Sequence, residues 1–288
     1  MSASAAGEVA TAQALPPNPS FAQWLADARQ RAQQPALRPR QPLVVAGQVV
    51  GSVEDGFLSQ IDRTSFHYHH YSLSNSEHQG VRAWCLEGPP QGASAALNTL
   101  ACALRDQGLC GPWRNEQLAV TNAQGVVLGT VERGAARVLG ITTRAVHLVG
   151  LAPDGRMWAQ KRAQSKLNNP GRWDTLMGGM VAAADTLAQA LARETWEEAG
   201  LQVQALHAMA HGGAVHFSRP SSEGGGAGFV VERIDWFHAT VPATSVPCNQ
   251  DGEVERFELL PVDTVCRQVA QDRFTLEAGL VIAAFLAL

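Results

Sequence analysis

Glu194, Glu197 and Glu198 stand at i, i+3 and i+4, a spacing that gathers carboxylates on a helix. Such a group repels itself, and partial burial raises the pKa of each member. A hard divalent cation resolves both problems, because Mg²⁺ takes carboxylate oxygens and retains waters that can bridge to phosphate. The competing reading is a solvated acidic patch in which Arg193 pairs with Glu197. The surrounding residues favour the cation. Thr186 and Gln189 make a capping box, Asp185 lies at the positive helix end, and Gly200 is a left-handed stop. On a helical wheel Glu194 and Glu198 each fall within roughly 20° of Leu187, so a core stripe changes from leucine to carboxylate. Trp196 points to the opposite side, which predicts that both helix faces meet other structure.

With Gly179 ahead of the helix, the stretch from Gly179 to Leu201 resembles the box of the Nudix hydrolase family, G-x5-E-x7-R-E-U-x-E-E-x-G-U, where U is bulky and apolar. Gly179, Arg193, Glu194, Glu197, Glu198, Gly200 and Leu201 match in register. Asp185 replaces a family Glu and keeps the charge on a shorter arm; Thr195 replaces an apolar residue and brings a hydroxyl into a packing site. The resemblance implies a loop–helix–loop that holds Mg²⁺ or Mn²⁺ for attack of water on a diphosphate. In it Glu194, Glu197 and Glu198 serve metal and water activation, with the Gly179 carbonyl as a further ligand. Arg193 orients a box glutamate by a charge-assisted hydrogen bond. Glu194 and Glu198 both stay open as the general base. The implied fold is α/β (α+β), an α/β/α sandwich around a mixed sheet, with a smaller N-terminal α/β domain.

Outside the box, Glu253 and Glu255 share one side of an extended segment and could reach the metal cluster; the plain alternative is an acidic turn. Lys166, Arg172 and, at the end of a strand, Arg162 are candidate partners of phosphate oxygens, and Trp173 offers a flat surface for a ring. The alternative there is a surface loop around a packed tryptophan. Glu232 is a further acidic candidate. His67, His69 and His70 lack paired Cys or Asp spacing and read as surface or strand histidines.

The elements that position these groups follow from periodicity and turn residues. Ser20 can cap a helix to about Gln34, and Leu43 to Val53 reads as strand, turn and strand. A helix is predicted over Ser94 to Gln107, a hairpin over Leu118 to Gly129 and a short helix over Val131 to Leu139. Ala145 to Leu151 and Arg156 to Arg162 are strands around a Pro153-Asp-Gly155 turn. Phe229 to Val241 is a strand, another leads into a helix near Val262, and Leu276 to Leu288 is a buried final helix. The division expected is a flexible tail at 1–19, an accessory α/β domain at 20–139 and a hydrolase domain at 140–288.

Composition bounds the rest. The chain has 288 residues, 45 % of them hydrophobic and 17 % charged, enough for roughly two domains of about 150 residues with real cores. A net charge of −4 argues against a general nucleic-acid binder. Five Cys without C-x-x-C spacing argue against a disulfide scaffold or zinc-thiolate site and for a reducing cytoplasm. No apolar run reaches the ~20 residues of a membrane span, and the first twenty residues lack Lys and Arg, unlike a signal peptide.

A finer resemblance spans roughly residues 40 to 288, through Trp113-Arg-Asn-Glu116, Glu132 to Ala136, Val146-His147, the Lys166 to Asp174 loop and the Asp251 to Glu255 turn. It is to a Nudix subgroup with an extra N-terminal domain, related to the Nudix half of thiamine pyrophosphokinase fusion proteins. It implies a substrate like thiamine diphosphate or its oxidised or damaged forms. The N-terminal domain, alone or with the second subunit of a homodimer, would close the pocket. ADP-ribose, dinucleotides, a diphosphate isomerase on the same fold and a ligand sensor without catalysis are the rival readings; the complete set of box glutamates from Glu194 onward favours the hydrolase over the isomerase. A sensor would have lost box glutamates, and all three are present.

Overall fold

The computed structural model describes residues 19–62 and 71–287. The tail expected before residue 19 and His67, His69 and His70 lie outside the described residues. After α1 (Pro19–Ala32), valine-rich β1 (Arg40–Val45) and β2 (Gln48–Glu54) form the expected hairpin. A second hairpin, β3 (Ser72–His78) and β4 (Val81–Glu87), joins it through parallel pairing of β1 with β4, giving the order β2-β1-β4-β3. Helix α2 (Ala93–Asp106) lays Leu97, Leu100 and Leu104 into a core with Leu43, Trp84 and Leu86. The two-stranded pair β5 (Gln117–Thr121) and β6 (Val127–Glu132) and the single turn α3 (Arg133–Ala136) close that core. The short helix begins later than its apolar spacing suggested, because β6 runs to Glu132 and the Glu132 carboxylate caps α3.

The second body is built on β7 (Thr142–Leu151). Ala145 and Val149 enter one core while Val146 and Leu148 enter another, the period-two pattern of a strand buried on both faces. Around it are β8 (Met157–Arg162), β9 (Trp173–Asp174), β10 (Met177–Met180), α4 (Leu187–Ala199), β11 (His207–Ser221), the turn α5 (Glu223–Gly226), β12 (Gly228–Thr240) and β13 (Val254–Leu260). Helices α6 (Val262–Ala270) and α7 (Leu276–Phe285) end the order. The mixed sheet runs β11-β12-β7-β8-β13, with β10 added to β7 and β9 to β8. Leu191 and Ala190 of α4 pack on one face and Val265 and Val281 of α6 and α7 on the other, an α/β/α sandwich.

Two expectations change. Helix α1 joins the second body: Phe21, Trp24 and Ala28 share a core with Val269 and Ala278, and the Trp24 indole donates to Asp272 at 2.9 Å. Trp196 is 49 % exposed, so the face of α4 opposite the carboxylates is largely open to solvent. No helix among the described residues is long and apolar enough to cross a membrane.

One buried charge ties the sheet together. Asp235 on β12 is 2 % exposed and accepts from Arg144 at 2.9 Å, Arg233 at 2.7 Å and His211 at 3.2 Å. Burial alone would raise this carboxyl, but the three hydrogen bonds outweigh it and hold it at about 2, below its ordinary 3.8. A depressed carboxyl stabilises the fold above the unfolded value and stops doing so as pH falls through the folded one. The stability difference between wild type and Asp235→Asn in urea unfolding is therefore expected to be constant above pH 4 and to shrink between about 4 and 2. A difference that grows toward low pH would contradict this role.

Candidate active site

The box helix stands as its end signals require. Thr186 accepts the Gln189 N–H at 3.3 Å while the Gln189 side chain accepts the Thr186 N–H at 2.8 Å. At the other end Gly200 is left-handed, φ 63°, and a Cβ there would lie 2.6 Å from the Cys248 carbonyl oxygen. Thr195, the one polar residue at an apolar box position, is fully buried; its hydroxyl donates to the Leu191 carbonyl at 2.6 Å and costs the core no unpaired group.

Arg193 is the hub of the acidic cluster. Its Nε and Nη2 grip Asp185 Oδ2 at 3.0 and 2.9 Å, and Nη2 also reaches the Met180 carbonyl at 3.2 Å. Its Nη1 donates to Glu194 at 2.8 Å and Glu197 at 3.0 Å. The shorter Asp185 arm thus reaches the arginine it has to hold. Glu194 is mostly buried, which raises its carboxyl, and Arg193 offsets part of the rise. Gly179 passes against it so closely that a Cβ would sit 2.0 Å from Glu194 Cδ.

Glu198 is 2 % exposed. One of its oxygens accepts from the Gln160 amide of β8 at 2.9 Å and the Gly178 N–H of β10 at 3.0 Å; the other lies 3.8 Å from Lys166 Nζ. Burial dominates and pushes the carboxyl up to about 7, against the pull of Lys166 and these donors.

Glu194, Glu198 and Gly179 line one cavity of about 350 Å³, together with Lys166, Arg162 and Glu253. Lys166 ion-pairs with Glu253, tying the 163–170 loop to the 251–253 turn. Arg162 reaches Asp174 at 3.4 Å and the Asn168 carbonyl at 3.1 Å. Asp174 also lies 3.6 Å from buried His147, whose Nδ1 is 2.9 Å from the Thr175 hydroxyl; His147 and Asp174 both border the cavity.

Other candidates fall elsewhere. Glu197 is turned toward Arg193 and does not border the cavity. Arg172 is corrected: its guanidinium donates to the carbonyls of Asp272 and Phe274 and locks the loop before α7. Trp173 is corrected too, being buried with its ring stacked on Phe274 and covered by Arg256, so no ligand ring can lie on it. Glu255 ion-pairs with Lys161 and Arg256 on the outer side of β13, because the irregular register between Val254 and Arg256 breaks the simple alternation with Glu253. Gln160 is no sequence-level candidate, and His147 and Asp251 enter only through the motifs of the finer resemblance, without a site role. A polar residue inside a predicted strand is the one signal Gln160 carried.

Among the described residues no three acidic, His or Cys side chains are already gathered as a ligand set. The donor chemistry nevertheless fits a hard cation: carboxylates Glu194, Glu198 and Glu253 and the glycine-lined backbone at 178–179 border one space, and two of the carboxyls are raised by burial.

Residues 141–283 match the model of the NUDIX domain. These residues form a Nudix domain. The chain is similar to Nudix hydrolase 24, chloroplastic, of Arabidopsis thaliana, at 28 % identity over 85 % of this chain and 66 % of the relative. It is also similar to Nudix hydrolase 20, chloroplastic, of the same plant, at 29 % identity over 81 % of this chain and 63 % of the relative. The chain therefore spans just under two thirds of the length of these relatives. The crystal structure of DR0079 from Deinococcus radiodurans aligns with a TM-score of 0.46 and 19 % identity, over 59 % of this chain and 98 % of that one.

The Nudix box geometry makes two predictions. Gly179→Ala must displace the Glu194 carboxylate; the diphosphate hydrolysis proposed below is expected to fall about 10²-fold, as for a catalytic group misplaced by an ångström, with an unchanged circular dichroism spectrum. Full activity would show that Glu194 need not sit against this backbone. Because proton and cation compete for Glu198, Mg²⁺ affinity measured by calorimetry is expected to rise with pH up to about 7 and flatten above it. A pH-independent affinity between 5 and 7 would remove Glu198 from the ligand set.

Proposed function

We propose that this protein is a metal-dependent hydrolase that cleaves a diphosphate linkage in a small molecule, releasing phosphate or a monophosphate. The observation that carries the reading is the convergence of Glu194, Glu198 and Gly179 on the cavity that also receives Lys166. Mg²⁺ or Mn²⁺ would be held by Glu194, Glu198 and the Gly179 carbonyl, within reach of Glu253; bound there it would neutralise charge on phosphate oxygens and acidify a water. Glu194 and Glu198 both stay open as the base, a role that falls to whichever of the two the cation leaves free; burial raises both carboxyls toward proton uptake. Arg193 holds Glu194 from behind, anchored by Asp185. Lys166 presents a partly desolvated ammonium to the substrate's phosphate oxygens. Arg162 shapes the loop that carries it.

For the substrate we infer thiamine diphosphate or an oxidised form of it, on the resemblance that runs from the accessory unit to the final helix. The two Arabidopsis relatives are named as Nudix hydrolases without a substrate, and nucleoside diphosphate derivatives such as ADP-ribose are the alternative. The organisation we propose is an accessory unit over residues 40–139, with α1 wrapped on the catalytic body. All five cysteines are free, which supports action in a reducing compartment such as the cytoplasm.

The test is phosphate release from thiamine diphosphate, oxothiamine diphosphate and ADP-ribose, with and without Mg²⁺, by wild type and Glu198→Gln. Wild type is expected to turn over at least one compound only with the metal, and the variant to lose about 10²–10⁴-fold, the usual worth of a general base. If wild type releases no more than the variant on every compound, the hydrolase reading fails.

A further inference from the structure

The cavity has a second wall that the Nudix box does not provide. Besides Glu194 and Glu198 it is bordered by Arg114, Arg133 and Arg137, all from the segment that links the accessory sheet to β7. Two of these cations are engaged: Arg133 pairs with Glu116 at 2.7 Å and Arg137 with Glu223 at 2.9 Å. The Arg114 guanidinium has no ion pair or hydrogen bond among the described residues, although its own backbone is firmly held. The Arg114 N–H donates at 2.6 Å to Glu132, a carboxylate only 1 % exposed. The same carboxylate caps α3 through Gly134, and its second oxygen has no partner. Two backbone bonds, Gly111 to Gly134 and Arg133 to Glu116, stitch the 111–116 loop to the start of α3. A buried, half-satisfied carboxylate burdens the fold. What it secures is the loop that turns Arg114 toward the cavity.

Charge gives this wall a purpose. Beside the carboxylates Glu194, Glu198 and Glu253 the cavity carries Lys166 and Arg162, the lysine already paired with Glu253, so a diphosphate entering it gains from a further, unpaired cation. The planar guanidinium fork suits phosphoryl oxygens, which it can bind in pairs. We propose that Arg114, with Arg133 beside it, binds a phosphoryl group of the diphosphate, so that the accessory unit supplies a direct substrate contact to the Nudix domain. Identifying the anion as a diphosphate rests on the hydrolase reading above; the arginine wall itself does not. Trp113, next in sequence, is not part of it, since it lies under Arg105 at 4.5 Å and does not border the cavity.

The probe is imidodiphosphate, a diphosphate that resists hydrolysis, titrated calorimetrically with Mg²⁺ into the full chain. Four proteins are compared: wild type, Arg114→Gln, Arg114→Lys, and Arg156→Gln, whose arginine pairs with Asp154 on a remote turn. Wild type and Arg156→Gln are expected to bind alike. Arg114→Gln is expected to lose about tenfold, the worth of a charged hydrogen bond, with Arg114→Lys between them and all four melting at the same temperature. KM for any cleaved diphosphate should rise with the Kd while kcat changes less. A loss below threefold in Arg114→Gln, or no binding by wild type, overturns the proposal. Arg114-dependent binding without cleavage of any diphosphate would sink the hydrolase reading and leave the arginine site standing. Cleavage with unchanged binding and KM in Arg114→Gln would do the reverse.

Discussion

Two carboxylates on one helix face, Glu194 and Glu198, are taken out of water without a full countercharge for either, and much of the catalytic body is arranged around that constraint. Arg193 gives Glu194 a partner but is itself spread over Asp185, Glu197 and the Met180 carbonyl. Glu198 has one amide, one backbone N–H and a lysine at 3.8 Å. These contacts orient the carboxylates without fully neutralising them, and a raised pKa is the direct expression of what is missing. Charge left uncompensated in this way suits the cation proposed for the site. A fold optimised only for stability would have placed apolar residues there.

Each neighbouring element can be understood from that demand. Strand β8 brings Gln160 to Glu198, and β10 brings the Gly178 N–H. Gly179 has no side chain because the Glu194 carboxylate fills the place of a Cβ. On the far face α1, α6 and α7 clamp the sheet through Phe21, Val265 and Val281, and Glu277 of α7 also borders the cavity. The cavity lies at the seam between this sandwich and the segment leading out of the accessory core, so its lining comes from different parts of the chain and mixes carboxylates with Lys166, Arg162 and three further arginines. Such placement at a junction is common for small-molecule sites, where a concave surface needs two bodies to form it.

Local signals account for what could be read in advance. The capping box, the left-handed Gly200 and the leucine-to-glutamate stripe mark α4 within its own residues, and β7, β8 and the valine hairpin follow from apolar spacing and turns. Strand β11 escaped because its residues, His207 to Ser221, are mostly polar or small and half exposed; pairing with β12, more than side-chain pattern, makes it a strand. Arg172 and Trp173 were attractive as phosphate and ring contacts because nothing in their neighbourhood reveals Phe274, a hundred residues away, which occupies them both. Glu255 failed for a similar reason, since a register shift in β13 separates it from Glu253.

The sequence by itself determined the chemistry available: hard oxygen donors on a capped helix, a glycine where a carboxylate must pass, and an arginine one residue before the first glutamate. These are short-range facts, governed by helical spacing and backbone conformation, and they survive any rearrangement of the rest. Only the tertiary structure decided which cations meet that helix. Lys166 and Glu253 come together because two loops at the end of the sheet close on each other. Arg114 borders the same cavity as the glutamates, on a loop that a buried carboxylate, Glu132, holds against α3. Pairings over such distances depend on how layers pack and how strands register, and no local pattern of residues encodes them.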